Sequence, residues 1–334
     1  MRELRVGIIG LGVGAQHIAG YQRHPACRVT TLCDLADDRL ATAAEEYPAM
    51  TVTKNADDVL LNPDIDVVSI ASYDNCHHAQ IVQAVEHGKH VFAEKPLCLT
   101  AAESRGLRCL FRNHPEIVLS SNLILRQCPR FLRLKELVAQ GTFGELFSVE
   151  GDYLYGRLHK VTDGWRGQLD CYSVVLGGAI HVIDLLLWLT GDRVVEVHAV
   201  GNRIASRNSR FRYNDFVAAL LTFRSGLIGK VTANFGCVHP HFHGLALYGS
   251  KATFLNGPEE GTLFVDEHGA WARQAMTDAY PGYHKGDLIY SFVESILHGT
   301  PAAVTADEVF ATMSVALAIE QATRQRGPVT VDYP

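Results

Sequence analysis

Two residues in this chain have the chemistry to steer a proton and a developing negative charge. Lys95 follows a buried-strand pattern in Ala93-Glu94-Lys95-Pro96-Leu97, and His181 sits in the strongly apolar run from Gly178 to Leu189. An imidazole titrates near neutral pH and suits general acid–base work. An ammonium group steadies charge that develops on oxygen and orients the group that carries it. Together they suit chemistry at a hydroxyl or carbonyl, with His181 as the general acid/base and Lys95 as the polarising residue. Each also has a plainer reading. A lysine at a strand end is usually solvated, and a histidine in an apolar helix is commonly a hydrogen-bonded part of the core.

The N-terminus says what such a pair would work with. Leu4 to Ile9 is a short apolar run that ends in glycines, as a buried parallel strand does. Gly10, Gly12 and Ala15 fit G-x-G-x-x-G/A, with Val13 and Gly14 completing the loop. Gly10 permits the tight turn. Gly12 lets the backbone approach a pyrophosphate, and Ala15 is expected to let the next helix pack close to the strand. That helix presents free N–H groups and a positive dipole end to the phosphates. Arg28 to Leu32 reads as the following strand, and Asp34 ends it where an acid would hold the adenosine ribose hydroxyls. Leu35 follows, with no adjacent arginine for a 2′-phosphate, so NAD is the expected cofactor and NADP is disfavoured.

These residues need a scaffold. Strand and helix patterns alternate up to Ile117–Ser121, which predicts an α/β Rossmann domain with a doubly wound parallel sheet over residues 1–122. A helix at Pro129–Gln140 comes next, and strands then dominate from Leu146 to Val265, interrupted by the apolar helix that carries His181. Short turns such as Arg224-Ser225-Gly226 indicate antiparallel pairing. Residues 123–334 are therefore expected to form an α+β domain on a large, mostly antiparallel open sheet. A homodimer or homotetramer would cover the sheet face that the helices leave bare.

Composition narrows the class. The chain has 334 residues, 47% of them hydrophobic and 20% charged, which suits two ordinary globular domains. A net charge of −6 argues against a nucleic-acid surface. No apolar run reaches transmembrane length, and no signal-peptide pattern opens the chain. The eight cysteines are scattered, without C-x-x-C pairs, and read as reduced thiols of a cytoplasmic protein.

The glycine fingerprint, Ala93-Glu94-Lys95-Pro96-Leu97 and Gly178-Ala179-Ile180-His181-Val182-Ile183-Asp184 resemble the glucose–fructose oxidoreductase/inositol dehydrogenase/MocA (Gfo/Idh/MocA) family. The resemblance covers essentially the whole chain. It implies an NAD(P)-dependent oxidoreductase acting on sugars, cyclitols, nucleotide sugars or related diols. It also implies a lysine beside the nicotinamide, at the reacting oxygen, followed by a proline often in a cis peptide. Members usually carry a threonine–proline pair and then a histidine at a cofactor contact. Here Ser72 and His77 match, Tyr73 replaces the proline, and Asn75 lies between. Glu94 and Asn122 join the expected cofactor contacts. Many members place an aspartate four residues before the histidine, whereas this chain has Gly177. Asp184, Asp170 and Tyr172 are the candidates to take over its work.

Other residues fall on the substrate side. Trp165 and Arg166 suit a stacked, hydrogen-bonded polar ligand or the carboxamide end of the cofactor. Arg126 lies just past the domain crossing and suits a carboxylate or phosphate. In His239-Pro240-His241-Phe242-His243, alternating histidines face one side of a strand. No acid or cysteine partner is evident nearby, so no metal is expected, and one of these histidines or His284 lines a sugar pocket instead. Two other functions remain open. One is an NAD-dependent glycoside hydrolase that oxidises its substrate transiently. The other is a non-catalytic dinucleotide-sensing regulator.

Overall fold

A computed structural model of the protein describes residues 3–267 and 269–334. They form two compact units that are not continuous in sequence. The first contains residues up to 124, then 284–310 and Pro334; the second contains 125–283 and 311–333.

The first unit is built on six strands: β1 (Leu4–Ile9), β2 (Cys27–Cys33), β3 (Thr51–Thr53), β4 (Val67–Ile70), β5 (His90–Ala93) and β6 (Leu119–Ser121). Their order is β3-β2-β1-β4-β5-β6, and every pair is parallel. Such sheets are covered on both faces, and β4 is accordingly buried at every position. Helices α1 (Ala15–Gln22), α2 (Asp37–Glu46), α3 (Asp57–Leu60), α4 (His77–Glu86) and α5 (Ala101–Asn113) lie between the strands. A full capping box starts α5: the Thr100 hydroxyl accepts from the Glu103 N–H and the Glu103 carboxylate accepts from the Thr100 N–H. Strand order reverses between β1 and β4, and open α/β sheets bind ligands at the carboxyl ends of strands flanking such a switch. β3 and α3 escaped the sequence pattern because each is too short to show a period.

The second unit begins with α6 (Pro129–Ala139), whose Pro129 supplies the preset φ of a first helical turn. Its sheet has nine strands: β7 (Leu146–Leu154), β8 (Val194–Asn202), β9 (Phe216–Phe223), β10 (Ile228–Asn234), β11 (Phe242–Gly249), β12 (Ala252–Asn256), β13 (Gly261–Glu267), β14 (Ala270–Met276) and β15 (Val329–Thr330). The order is β14-β13-β12-β11-β7-β10-β9-β8-β15. All pairs are antiparallel except β7 with β10, which run parallel. The short helix α7 (His159–Thr162) precedes α8 (Ile180–Thr190), which packs on β7. A Cβ on Gly151 of β7 would lie 3.0 Å from Val182 Cβ, so the glycine sets how near α8 can come.

Later in the chain α9 (Ile289–His298) joins the first unit, packing on α1 and β5. α10 (Ala306–Gln325) begins in the first unit and continues into the second. Among the described residues no helix is long and apolar enough to cross a membrane.

Candidate active site

At the end of β1 the chain turns through the glycine loop. Gly10 has φ +90°, and a Cβ there would fall 2.2 Å from the Ala71 carbonyl oxygen. Gly12 and Val13 are exposed, and a Cβ on Gly12 would meet nothing nearer than the Arg39 guanidinium at 3.5 Å. Its backbone is therefore open to a phosphate. The close helix–strand contact expected of Ala15 falls to Gly14 instead. A Cβ on Gly14 would sit 2.2 Å from the Gly10 carbonyl oxygen, and Gly14 is buried while Ala15 is exposed.

Asp34 closes this loop from β2. Its Oδ2 accepts from the Leu11 N–H (2.6 Å) and its Oδ1 from the Ala36 N–H (2.9 Å), while Leu35 is exposed. No arginine adjoins Asp34 in sequence, since Leu35 follows it, but one reaches it in space. Arg39 Nη1 lies 3.2 Å from Asp34 Oδ2. Arg39 stands five residues beyond the acid, in the first turn of α2, where adjacency in sequence gives no signal and helix geometry folds it back.

β5 delivers Glu94 and Lys95, and the Lys95–Pro96 peptide is cis. Glu94 is buried, and its Oε1 accepts from Asn122 Nδ2 (2.7 Å) and lies 3.4 Å from His17 Nε2. The Asn122 amide also donates to the Lys285 carbonyl oxygen (3.0 Å). Burial alone would raise the Glu94 carboxyl. The His17 hydrogen bond and the charges of Lys285, His17 and Lys95 outweigh it and hold Glu94 well below the usual carboxylate range. Glu94 is thus an anion beside Lys95. His17 and Lys285 belong to this knot, and nothing in the sequence pattern marked them. Asn122 Oδ1 is buried without a hydrogen-bond partner, an acceptor suited to an amide or hydroxyl donor.

His77 fixes the turn around Pro96. Its Nδ1 contacts the Pro96 carbonyl oxygen (2.7 Å) and its Nε2 the Ser72 carbonyl oxygen (3.1 Å). Ser72 Oγ donates to Gln80 Oε1 (2.6 Å), and Asn75 is exposed. One sheet edge therefore gathers the glycine loop, Asp34, Ser72, His77, Glu94, Lys95 and Asn122. An open glycine backbone, a buried carboxylate and an acceptor without a donor are what a dinucleotide requires.

In the second unit His181 is buried near the start of α8, directly after a π-helical turn at Val175–Ala179. Its ring stacks on Tyr153 with centroids 6.3 Å apart. His241 and His243 meet the same Tyr153 edge-on at 5.2 and 5.4 Å, and Tyr155 stacks on it at 6.1 Å. The Tyr280 hydroxyl accepts from the His243 backbone N–H (2.9 Å) and bonds the ring Nδ1 (2.8 Å). Tyr280 and Tyr153 gave no signal in sequence as parts of this cluster. Among the described residues no group of three or more His, Cys, Asp or Glu is arranged to hold a metal.

Gly177 acquires a reason here. A Cβ at that position would lie 2.5 Å from the Tyr172 hydroxyl oxygen, so the phenol fills the space of a residue-177 side chain. Tyr172 is buried against Phe211 and Phe235. Asp184 is engaged elsewhere. Arg126 Nε and Nη2 donate to its two oxygens (2.9 and 2.6 Å), Thr312 donates to Oδ1 (3.1 Å), and both side chains are almost fully buried. This bidentate pair braces α8. The Arg166 guanidinium stacks on Trp165 at 4.5 Å. His284, in the first unit, is exposed, and its N–H donates to Asp287 (2.6 Å).

Residues 4–121 match the model of an oxidoreductase family with an NAD-binding Rossmann fold, and residues 131–255 match the GFO/IDH/MocA C-terminal domain. The chain belongs to the Gfo/Idh/MocA family. Its first unit is the NAD-binding domain of that oxidoreductase family. Among Gfo/Idh/MocA relatives, the myo-inositol 2-dehydrogenase of Thermotoga maritima is 24% identical, over 98% of this chain and 99% of its own. The crystal structure of myo-inositol 2-dehydrogenase from Lactobacillus plantarum superposes with a TM-score of 0.85 at 22% identity, covering 99% of this chain and 100% of that one. A levoglucosan dehydrogenase in complex with NADH and levoglucosan does so with the same score, identity and coverage.

Proposed function

We propose that this protein is an NAD(H)-dependent dehydrogenase or reductase that moves a hydride between the cofactor and a hydroxyl or carbonyl of a sugar, cyclitol or sugar derivative. The observation that carries this reading is the sheet edge where the glycine loop, the buried Asp34 and the Glu94–Lys95 pair converge. NAD⁺, when bound, accepts the hydride. Lys95, its charge balanced by Glu94, steadies negative charge developing on the substrate oxygen. His181 takes or returns the hydroxyl proton. The relatives named above work on polyhydroxylated rings, which is the substrate class proposed here.

The test is an NADH fluorescence titration followed by an absorbance screen at 340 nm with cyclitols, aldoses, sugar acids and nucleotide sugars. Turnover on one class supports the reading. Cleavage of a chromogenic glycoside without net NADH would favour the hydrolytic alternative. Tight NADH binding with no reaction on either panel would favour the sensing one. Lys95→Ala is expected to lower kcat by about 10²–10³-fold while NADH still binds; unchanged kcat would remove Lys95 from the mechanism.

We also propose that a second copy of the chain covers the outer face of the nine-stranded sheet. Val200, Leu220 and Ile228 are exposed there on strands β8, β9 and β10, which are neighbours. Light scattering on the purified protein reads the mass directly, and a monomer would end this proposal.

A further inference from the structure

His243 enters the ring cluster from β11. It pairs directly with Tyr153 of β7, on the sheet face that α8 covers: Gly151, two residues before Tyr153, faces Val182, the chain neighbour of His181. The His243 ring stands edge-on to His181, with centroids 6.2 Å apart and planes at 83°, and both residues are buried. Its place is fixed from two sides. Asn256 Nδ2 donates to its carbonyl oxygen (2.8 Å), and the Tyr280 hydroxyl bonds its backbone N–H and its ring Nδ1 (2.9 and 2.8 Å). Both holders lead to one side chain. Arg130, almost fully buried on α6, donates from Nη1 to Asn256 Oδ1 (2.9 Å), and its guanidinium lies over the Tyr280 ring at 5.4 Å. It also donates to the carbonyl oxygens of Gly257, Glu259 and Asp278 (2.7, 2.9 and 3.1 Å), which fastens the chain beside Asn256 and Tyr280.

A side chain that only fills space is served by an apolar residue, which leaves no polar atom to satisfy. Here an imidazole is set in one orientation by residues that are themselves locked, which is the support a ligand-binding ring requires. Anchoring Nδ1 on Tyr280 directs Nε2, the ring's other polar atom. Oxidation of a hydroxyl releases one proton, and His181 is the residue assigned to it, so a second imidazole this near serves a different oxygen. We propose that His243 is a substrate-binding residue, holding through Nε2 a hydroxyl on the carbon next to the reacting one, and that Arg130 is the positioning residue that fixes it through Tyr280 and Asn256. The substrate class is then a vicinal diol. This rests on the dehydrogenase reading, because His181 is the acid/base of that reading.

The test assays wild type and variants with NAD⁺ at 340 nm on myo-inositol, D-glucose, D-glucuronate and UDP-glucose. His243→Asn keeps an amide nitrogen near the place of Nδ1, for Tyr280, and removes Nε2. It should raise KM about tenfold on the sugar or cyclitol that wild type oxidises and leave kcat nearly unchanged, as the loss of a bond to a non-reacting group does. Tyr280→Phe, which removes a single oxygen, and Arg130→Lys should raise KM by less, because Nε2 remains but is no longer fixed. A wild-type KM in His243→Asn overturns the proposal, and so does a fall in kcat at constant KM, which would put His243 at the reacting oxygen. A wild-type KM in both Tyr280→Phe and Arg130→Lys overturns the positioning role. Should His243→Asn fail to fold by circular dichroism, Tyr280→Phe decides alone, by the same KM. In each of these outcomes wild type still turns over, so the dehydrogenase reading stands. Wild type that oxidises none of the four probes defeats that reading, and this proposal with it.

Discussion

Gly177 shows how much one missing side chain can decide. The Tyr172 hydroxyl stands 2.5 Å from where a Cβ would be, so any larger residue must push the phenol out of a packed site. Gly177→Ala should therefore destabilise the protein by about 1–3 kcal/mol, as overpacking does. The cost should shrink in a Tyr172→Phe background, which removes the nearest atom. Thermal denaturation of the two single variants and the double variant checks this; strictly additive costs would mean the phenol is not what the alanine meets. Gly177→Asp carries the same clash, so returning a carboxylate to this position requires a smaller residue at 172. The sequence exposed the gap at Gly177 but not what fills it. Tyr172 is five residues away, and the π-helical turn at Val175–Ala179 alters which side chains share a face. Arg39 escaped for a similar reason: α2 folds it back onto Asp34 across a turn that adjacency does not describe.

Elements fix the sign of the electrostatics. β5 and β6 end side by side, which puts Glu94 against Asn122, and helix α1 adds His17. A carboxylate held below its ordinary value contributes stability that is complete above the unfolded value of about 4.3 and is lost as pH falls below it. Glu94→Gln should accordingly cost about 1.5–3 kcal/mol at pH 7, the range for a hydrogen bond to a charged group. The gap between wild type and variant should narrow as the pH drops below about 4.3. Melting curves from pH 7 to about 3.5 test this; a gap that stays constant would show that Glu94 is not ionised in the folded protein. The strands that position these residues were legible because buried parallel strands are apolar along their length, as β4 and β5 are. β14 was not. Its exposed Trp271, Arg273 and Gln274 give an edge strand no alternation to read. The parallel pair β7–β10 was also hidden, since its strands lie about 80 residues apart and only the sheet order reveals it.

At the scale of the whole chain, a cut near Asn122 looks natural in the sequence, yet the first unit is finished by residues 284–310. Those residues do structural work inside that unit. Ser120 Oγ donates to the Val304 carbonyl oxygen (2.9 Å), Phe292 packs on Phe92 with centroids 5.5 Å apart, and His24 Nε2 meets Glu294 (2.8 Å). Gly20 and Gly286 approach so closely that a Cβ on the first would lie 2.8 Å from the carbonyl oxygen of the second. Ile289, Phe292 and Val293 are fully buried, and each contributes about 1.5–3 kcal/mol. Their sum rivals the whole stability of an ordinary domain, about 5–15 kcal/mol. A fragment of residues 1–122 should therefore fail to melt cooperatively and should bind NADH poorly, although it holds the glycine loop, Asp34 and Lys95. Joining residues 284–310 to residues 1–124 through a flexible linker should restore both properties, because it returns α9 to the surface of α1 and β5 without any part of the second unit. Circular dichroism melts and NADH fluorescence on the two fragments decide the matter. If the short fragment folds and binds as well as the long one, α9 is an ornament on a domain complete without it. If only the long one does, the NAD-binding domain needs chain that arrives after the whole nine-stranded sheet except β15 has been made.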